Sequence, residues 1–140
     1  MNNTKVLSLS RQHIFGFLLV AAAVFAFTHG NRHYDVPEVS IPEAKALIDS
    51  GAIVIDVRAA EQGMAHIPGA HMIPLEVLST SLAQFDAIAR TKPVVVYCGN
   101  GSSRGPEAVH VLSQNGFTKA VNLEAGFSGW RGAGLPTEKS

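Results

Sequence analysis

The chain has 140 residues, 46% hydrophobic and 16% charged, which suits one domain with a tail and is too apolar for a disordered chain. Eleven basic and eleven acidic residues cancel with no Lys/Arg cluster, which sets aside a nucleic-acid reader. A single cysteine, Cys98, excludes an internal disulfide framework, a Cys-rich zinc site and an internal resolving thiol.

Residues 1–30 carry Lys5 and Arg11 and no acid. An unbroken apolar run, Ile14 to Phe27, follows these charges. At about 1.5 Å per helical residue it falls short of the roughly 30 Å hydrocarbon core. A positive flank, a short apolar stretch and small residues at Ala26, Thr28 and Gly30 read as a secretory signal, or as an uncleaved membrane anchor in the absence of a clean cleavage motif. Both versions predict an exported body, periplasmic or facing the cell envelope. Residues 31–39 read as a linker, and 40–137 as the folded domain.

Ser40-Ile41-Pro42-Glu43 is a capping-box signature. Ile41, Ala44, Leu47 and Ile48 form one helical face, and Gly51 supplies the stop. Ala52 to Asp56 is a short apolar run without alternation, as in a strand covered on both faces. His66 to Ala70 is turn-like and leads into Met72-Ile73. Leu78, Leu82, Phe85 and Ala89 recur at helical spacing. Pro93 to Cys98 is the clearest buried strand; it enters the loop Gly99-Asn100-Gly101-Ser102-Ser103-Arg104-Gly105, and a helix is expected from about Pro106 to Gly116. Ala120 to Leu123 reads as a last strand, and Gly126 to Trp130 as the start of a terminal helix with Trp130 packed on the sheet. Strands alternating with helices predict a parallel α/β sheet.

A cysteine at the end of a buried parallel strand stands where ligands of such sheets bind. The glycines of the loop let successive backbone N–H groups turn inward as an anion-binding nest, and the following helix adds its N-terminal dipole. Such a cup favours a thiolate on Cys98. Arg104 offers a planar fork for an oxyanion. Asp56, also at a strand end, could serve acid–base chemistry or be structural. His66 could act as a base, although a turn histidine bonded to backbone is the plainer reading. His66, His71 and His110 lack ligand-like spacing, so no metal site is expected. Asn100, Ser102 and Ser103 shape the loop, since no partner base adjoins either serine.

Taken together, Ile55-Asp56-Val57-Arg58 with Glu61, His66-Ile67-Pro68-Gly69-Ala70, Ile73-Pro74-Leu75, Val95-Val96-Tyr97-Cys98 with Gly101, Gly116-Phe117, Val121, Leu123-Glu124, Gly126, Trp130 and Ala133-Gly134-Leu135-Pro136 resemble the rhodanese-like (sulfurtransferase) family from about Val39 to Pro136. The resemblance implies an α/β fold with a five-stranded, mostly parallel sheet and helices on both faces. It also implies an enzyme in which Cys98 takes a sulfane sulfur from an anionic donor such as thiosulfate and passes it, as a persulfide, to a thiol or cyanide. The backbone of Gly99, Asn100, Gly101, Ser102, Ser103 and Arg104 would bind the substrate, Asp56 and Arg58 would tie loops together, and no metal or organic cofactor is implied. As a surface thiol, Cys98 would need a partner thiol or reductant.

Three departures stand out. The Asp56–His66 stretch is one residue short and lacks the common aromatic, with Met64 nearby instead, and Ala125 replaces a common second glycine. The Cys-x5-Arg loop is one residue longer than usual, which resembles the phosphatases and arsenate reductases built on the same fold. Tyr97 before the cysteine, and the lack of an acid in the loop, favour sulfur transfer. A non-catalytic binding domain is the third reading.

Overall fold

The computed structural model describes residues 33–61 and 64–140. The expected signal or anchor, with its apolar run Ile14 to Phe27, lies outside the described residues. Among those described, no helix is long and apolar enough to cross a membrane.

The segment read as a linker ends in an edge strand, β1 (Glu38–Val39), which pairs in parallel with a strand near the end of the chain. A two-residue strand has no pattern of its own, so only its distant partner reveals it. Helix α1 (Ile41–Asp49) begins with the expected capping box: the Ser40 N–H donates to the Glu43 carboxylate (2.7 Å) and the Glu43 N–H donates to Ser40 Oγ (3.4 Å). Strand β2 (Ile53–Asp56) follows, then the two-residue strands β3 (Ala65–His66) and β4 (His71–Met72). His66 therefore lies in a strand, not in the turn expected for it.

The helix expected from Leu78 to Ala89 is broken. Helix α2 spans only Leu78–Ser81, between 3-10 turns at Leu75–Val77 and Leu82–Gln84, with a third at Ala89–Thr91. Phe85 is extended (ψ 130°), and Asp86 accepts the Ala89 N–H at 2.7 Å, restarting the chain in a new direction. Leu78, Leu82 and Phe85 are buried all the same. Their spacing reports burial correctly but not helix continuity.

Strand β5 (Val94–Tyr97) is buried throughout. Helix α3 spans Arg104–Gln114, two residues earlier than expected, so Arg104 belongs to its first turn. Strand β6 (Ala120–Leu123), helix α4 (Gly126–Gly132) and strand β7 (Glu138–Lys139) complete the chain. The main sheet has the order β1-β6-β5-β2-β4 with every pairing parallel, and β7 pairs antiparallel with β3.

Two apolar cores fill the faces of this sheet. Ile55, Val94 and Val96 pack with Leu78, Phe85, Ala108, Leu112 and Phe117 on one side. Val54, Val95, Tyr97 and Leu123 pack with Ala44, Phe127 and Trp130 on the other. Each fully buried Val, Ile or Leu side chain contributes about 1.5–3 kcal/mol by leaving water. The cores thus clamp β5 from both sides, and its carboxyl end is a rigid platform.

Candidate active site

Alternation along β5 decides which way the cysteine points. Val94, Val96 and Cys98 share the α3 face, whereas Val95 and Tyr97 share the α1/α4 face. Cys98 is 1% exposed, so it is a buried thiol and not the surface group expected. Its Sγ accepts the Gly101 N–H at 3.2 Å.

The loop after Cys98 is held by its carbonyls. Phe127 N–H donates to the Cys98 carbonyl (2.8 Å), Ser128 N–H to the Gly99 carbonyl (2.9 Å), and Asn122 Nδ2 to the Gly101 carbonyl (2.8 Å). A trans peptide directs its C=O and its N–H in opposite senses. Tying these carbonyls to α4 and β6 therefore turns the N–H groups of Gly99, Asn100 and Ser102 away from those elements. Asn100 Oδ1 takes the Ser102 N–H (3.1 Å) and the Ser102 hydroxyl (3.0 Å), closing a local turn, and lies 4.0 Å from Sγ. Ser103 precedes α3 without capping it through its side chain.

Two glycines make this packing feasible. Gly101 has φ +82°, and a Cβ there would overlap the Glu124 carbonyl. Gly126 has φ +59°, and a Cβ there would stand 2.5 Å from the Gly101 nitrogen. Ala125, at the position of the common second glycine, has an ordinary helical backbone (φ −82°, ψ −5°), so alanine fits without strain.

Arg104 does reach the carboxyl end of the sheet, but its Nε and Nη2 are engaged. Nε donates to the Val57 carbonyl (3.0 Å), and Nη2 donates to both oxygens of Glu76 (2.5 and 2.6 Å). The bond from Arg104 holds the Glu76 carboxyl below the usual carboxylate range. The expected oxyanion fork already faces an internal carboxylate.

At the carboxyl end of β2 the buried Asp56 pairs with the largely buried Arg58. The Asp56 carboxylate accepts the Arg58 N–H (3.0 Å), Nε (2.9 Å) and Nη2 (2.6 Å), while Nη2 also donates to the Ala65 carbonyl (2.8 Å). The guanidinium lies 4.2 Å from the Phe127 ring centre and 5.5 Å from that of Tyr97. Burial alone would weaken the Arg58 charge; the bonds and charge of Asp56 outweigh it and keep the group more firmly protonated than usual. Burial, with Asp56 beside it, pushes the Tyr97 phenol above its ordinary value, and its oxygen accepts the Ile67 N–H (3.1 Å). His66 is buried with Nδ1 3.0 Å from the Ile67 carbonyl and 3.7 Å from Glu138. Asp56, Arg58 and His66 thus brace β2, β3 and α4.

Two residues not singled out by sequence shape the site. Glu76 lies 28 positions before Arg104 and shows no motif. Asn122 reads as one more strand residue, yet its side chain is buried and donates to Gly101 and Glu38, while Oδ1 has no partner among the described residues. Its amide on an otherwise apolar strand is the available signal. Among the described residues, no group of three or more His, Cys, Asp or Glu is placed to hold a metal ion.

The model of the family described as "Rhodanese-like domain" matches residues 40–133. Similar proteins include the thiosulfate sulfurtransferase GlpE of Pseudomonas savastanoi pv. phaseolicola, 32% identical over 90 residues, 64% of this chain and 81% of that one. GlpE of Pseudomonas fluorescens is 35% identical over 89 residues, 63% of this chain and 78% of its own. Among solved structures, the human single-domain sulfurtransferase TSTD1 is 30% identical with a TM-score of 0.58, covering 70% of this chain and 97% of that one.

Proposed function

The chain belongs to the rhodanese-like domain family, and from that premise we propose that it moves a sulfane sulfur from thiosulfate or a similar anion to a thiol or cyanide through a persulfide on Cys98. The observation that carries this reading is the Gly101 N–H aimed at Sγ (3.2 Å) in a loop whose carbonyls are tied back to α4 and β6. Donors fixed in this way stabilise negative sulfur without having to reorganise during the reaction.

In the first half-reaction the Cys98 thiolate attacks the outer sulfur of thiosulfate. The S–S bond of the donor breaks, sulfite leaves with the bonding pair, and Cys98 carries the persulfide. In the second, an acceptor thiolate or cyanide attacks the outer persulfide sulfur, and Cys98 leaves as a thiolate. The backbone of Gly99 to Arg104 binds the donor and holds the charged sulfur, while Asp56, Arg58 and His66 keep the loop's support rigid. The Cys-x5-Arg phosphatase or arsenate-reductase reading is disfavoured because the Glu76 carboxylate beside Arg104 repels a multiply charged phosphate or arsenate and the loop offers no acid.

Intact-mass measurement tests the reading. Thiosulfate should add one sulfur atom to the protein and cyanide should remove it as thiocyanate, with Cys98→Ser inert to both. A protein that stays unmodified while hydrolysing an aryl phosphate or reducing arsenate would overturn it. We also propose that the body is exported through the Ile14–Phe27 segment, on the one-sided basic flank of that apolar run.

A further inference from the structure

The contact between Arg104 and Glu76 is built into the fold. The Val57 carbonyl accepts both Arg104 Nε (3.0 Å) and the Leu75 N–H (3.3 Å), and Glu76 follows Leu75 directly. One carbonyl at the end of β2 therefore positions the base of α3 and the 3-10 turn that carries Glu76. The ion pair needs no chance meeting of two long side chains. Among the described residues, Nη1 of Arg104 makes no hydrogen bond, so the guanidinium keeps two donors while already facing a full negative charge.

An anion drawn to Arg104 must share that guanidinium with the Glu76 carboxylate. Coulomb repulsion is linear in ligand charge, so a dianion is penalised twice as much in free energy as a monoanion at the same place. From this juxtaposition we infer that Glu76 is a specificity-determining residue that tunes the site against doubly charged sulfur donors and toward singly charged ones, an inference that rests on sulfur transfer at Cys98. With a singly charged organic thiosulfonate the step balances as before. Cys98 attacks the terminal sulfur, the S–S bond breaks, and a sulfinate leaves with the electron pair.

The test compares Glu76→Gln with the wild type on thiosulfate (a dianion) and methanethiosulfonate (a monoanion), with cyanide as acceptor. The substitution keeps the size of the side chain and an oxygen for Arg104 while removing the charge. KM for thiosulfate should fall about fivefold, and KM for the monoanion, with half the charge, only about twofold. Raising the salt should shrink both gains. Calorimetric titration with inorganic sulfate at fixed ionic strength should show binding about fivefold tighter in Glu76→Gln, and Arg104→Ala should erase that difference. Equal gains for the two donors, a gain that survives Arg104→Ala, or sulfate binding to neither protein would overturn the inference. Wild-type protein that forms no persulfide with either donor, yet shows the sulfate difference, would instead defeat sulfur transfer and leave the charge effect of Glu76 standing.

Discussion

Replacing Gly101 by alanine separates what backbone strain costs from what crowding costs, because Gly51 supplies a matched control. Both residues have left-handed backbones, φ +82° and +96°, but a Cβ at Gly51 meets nothing within 4 Å, whereas at Gly101 it overlaps the Glu124 carbonyl. Gly51→Ala should therefore cost only the left-handed penalty, about 1–2 kcal/mol. Gly101→Ala carries the same penalty and must also displace Glu124, whose N–H is bound to the Val39 carbonyl at 3.1 Å. Crowding of that kind adds about 1–3 kcal/mol, for a total of about 2–5 kcal/mol. The displacement also draws the Gly101 N–H away from Sγ, and losing one preorganised donor lowers kcat about a hundredfold. Urea unfolding of the two variants gives the stabilities, and thiosulfate–cyanide turnover gives the rate. Equal destabilisation, or full turnover in Gly101→Ala, would refute both the packing argument and the function assigned to that N–H.

Arg58→Leu should destabilise the fold by about 3–5 kcal/mol, since it leaves the buried Asp56 carboxylate without its partner; adding Asp56→Asn should recover part of the loss in chemical unfolding. The raised phenol of Tyr97 makes stability complete below the unfolded tyrosine value of about 10 and declining as pH rises above it. Tyr97→Phe should flatten that alkaline decline and, by leaving the Ile67 N–H unpaired, lower stability at neutral pH by about 1–3 kcal/mol. A reporter active only in the cytoplasm, fused after Ser140, should stay silent in the full-length chain and become active when residues 1–30 are deleted; activity in both would refute export.

Legibility from sequence follows the range of the interactions. The start of α1 is readable because Ser40, Pro42 and Glu43 act on one another within a single turn. Strand β5 is readable because burial on both faces leaves only apolar residues. The Cys98 loop is readable because glycines and a following helix are local features. The break at Phe85 is not, since an amphipathic spacing survives when a helix is cut into turns that keep one face inward. Strand β1 and the pairing of β3 with β7 depend on partners far along the chain. The engagement of Arg104 is equally hidden. Whether an arginine faces a substrate or a neighbouring carboxylate depends on where Leu75 and Val57 meet, and no spacing encodes that.

The sheet's edges have a consequence for how damaged molecules will behave. Strands β1 and β4 are two residues long, too short to recruit a neighbouring chain, while the long apolar run Val94–Tyr97 sits at the centre. Folded molecules thus show no extended sticky rim at those edges. Once opened, the same chain exposes an uncharged, β-prone stretch guarded only by Lys92 and Pro93 before it. Variants that loosen the Cys98 loop or its buried supports will tend to be lost as aggregates before they accumulate as soluble unfolded protein, so yield in the soluble fraction will report stability as sharply as a melting curve does.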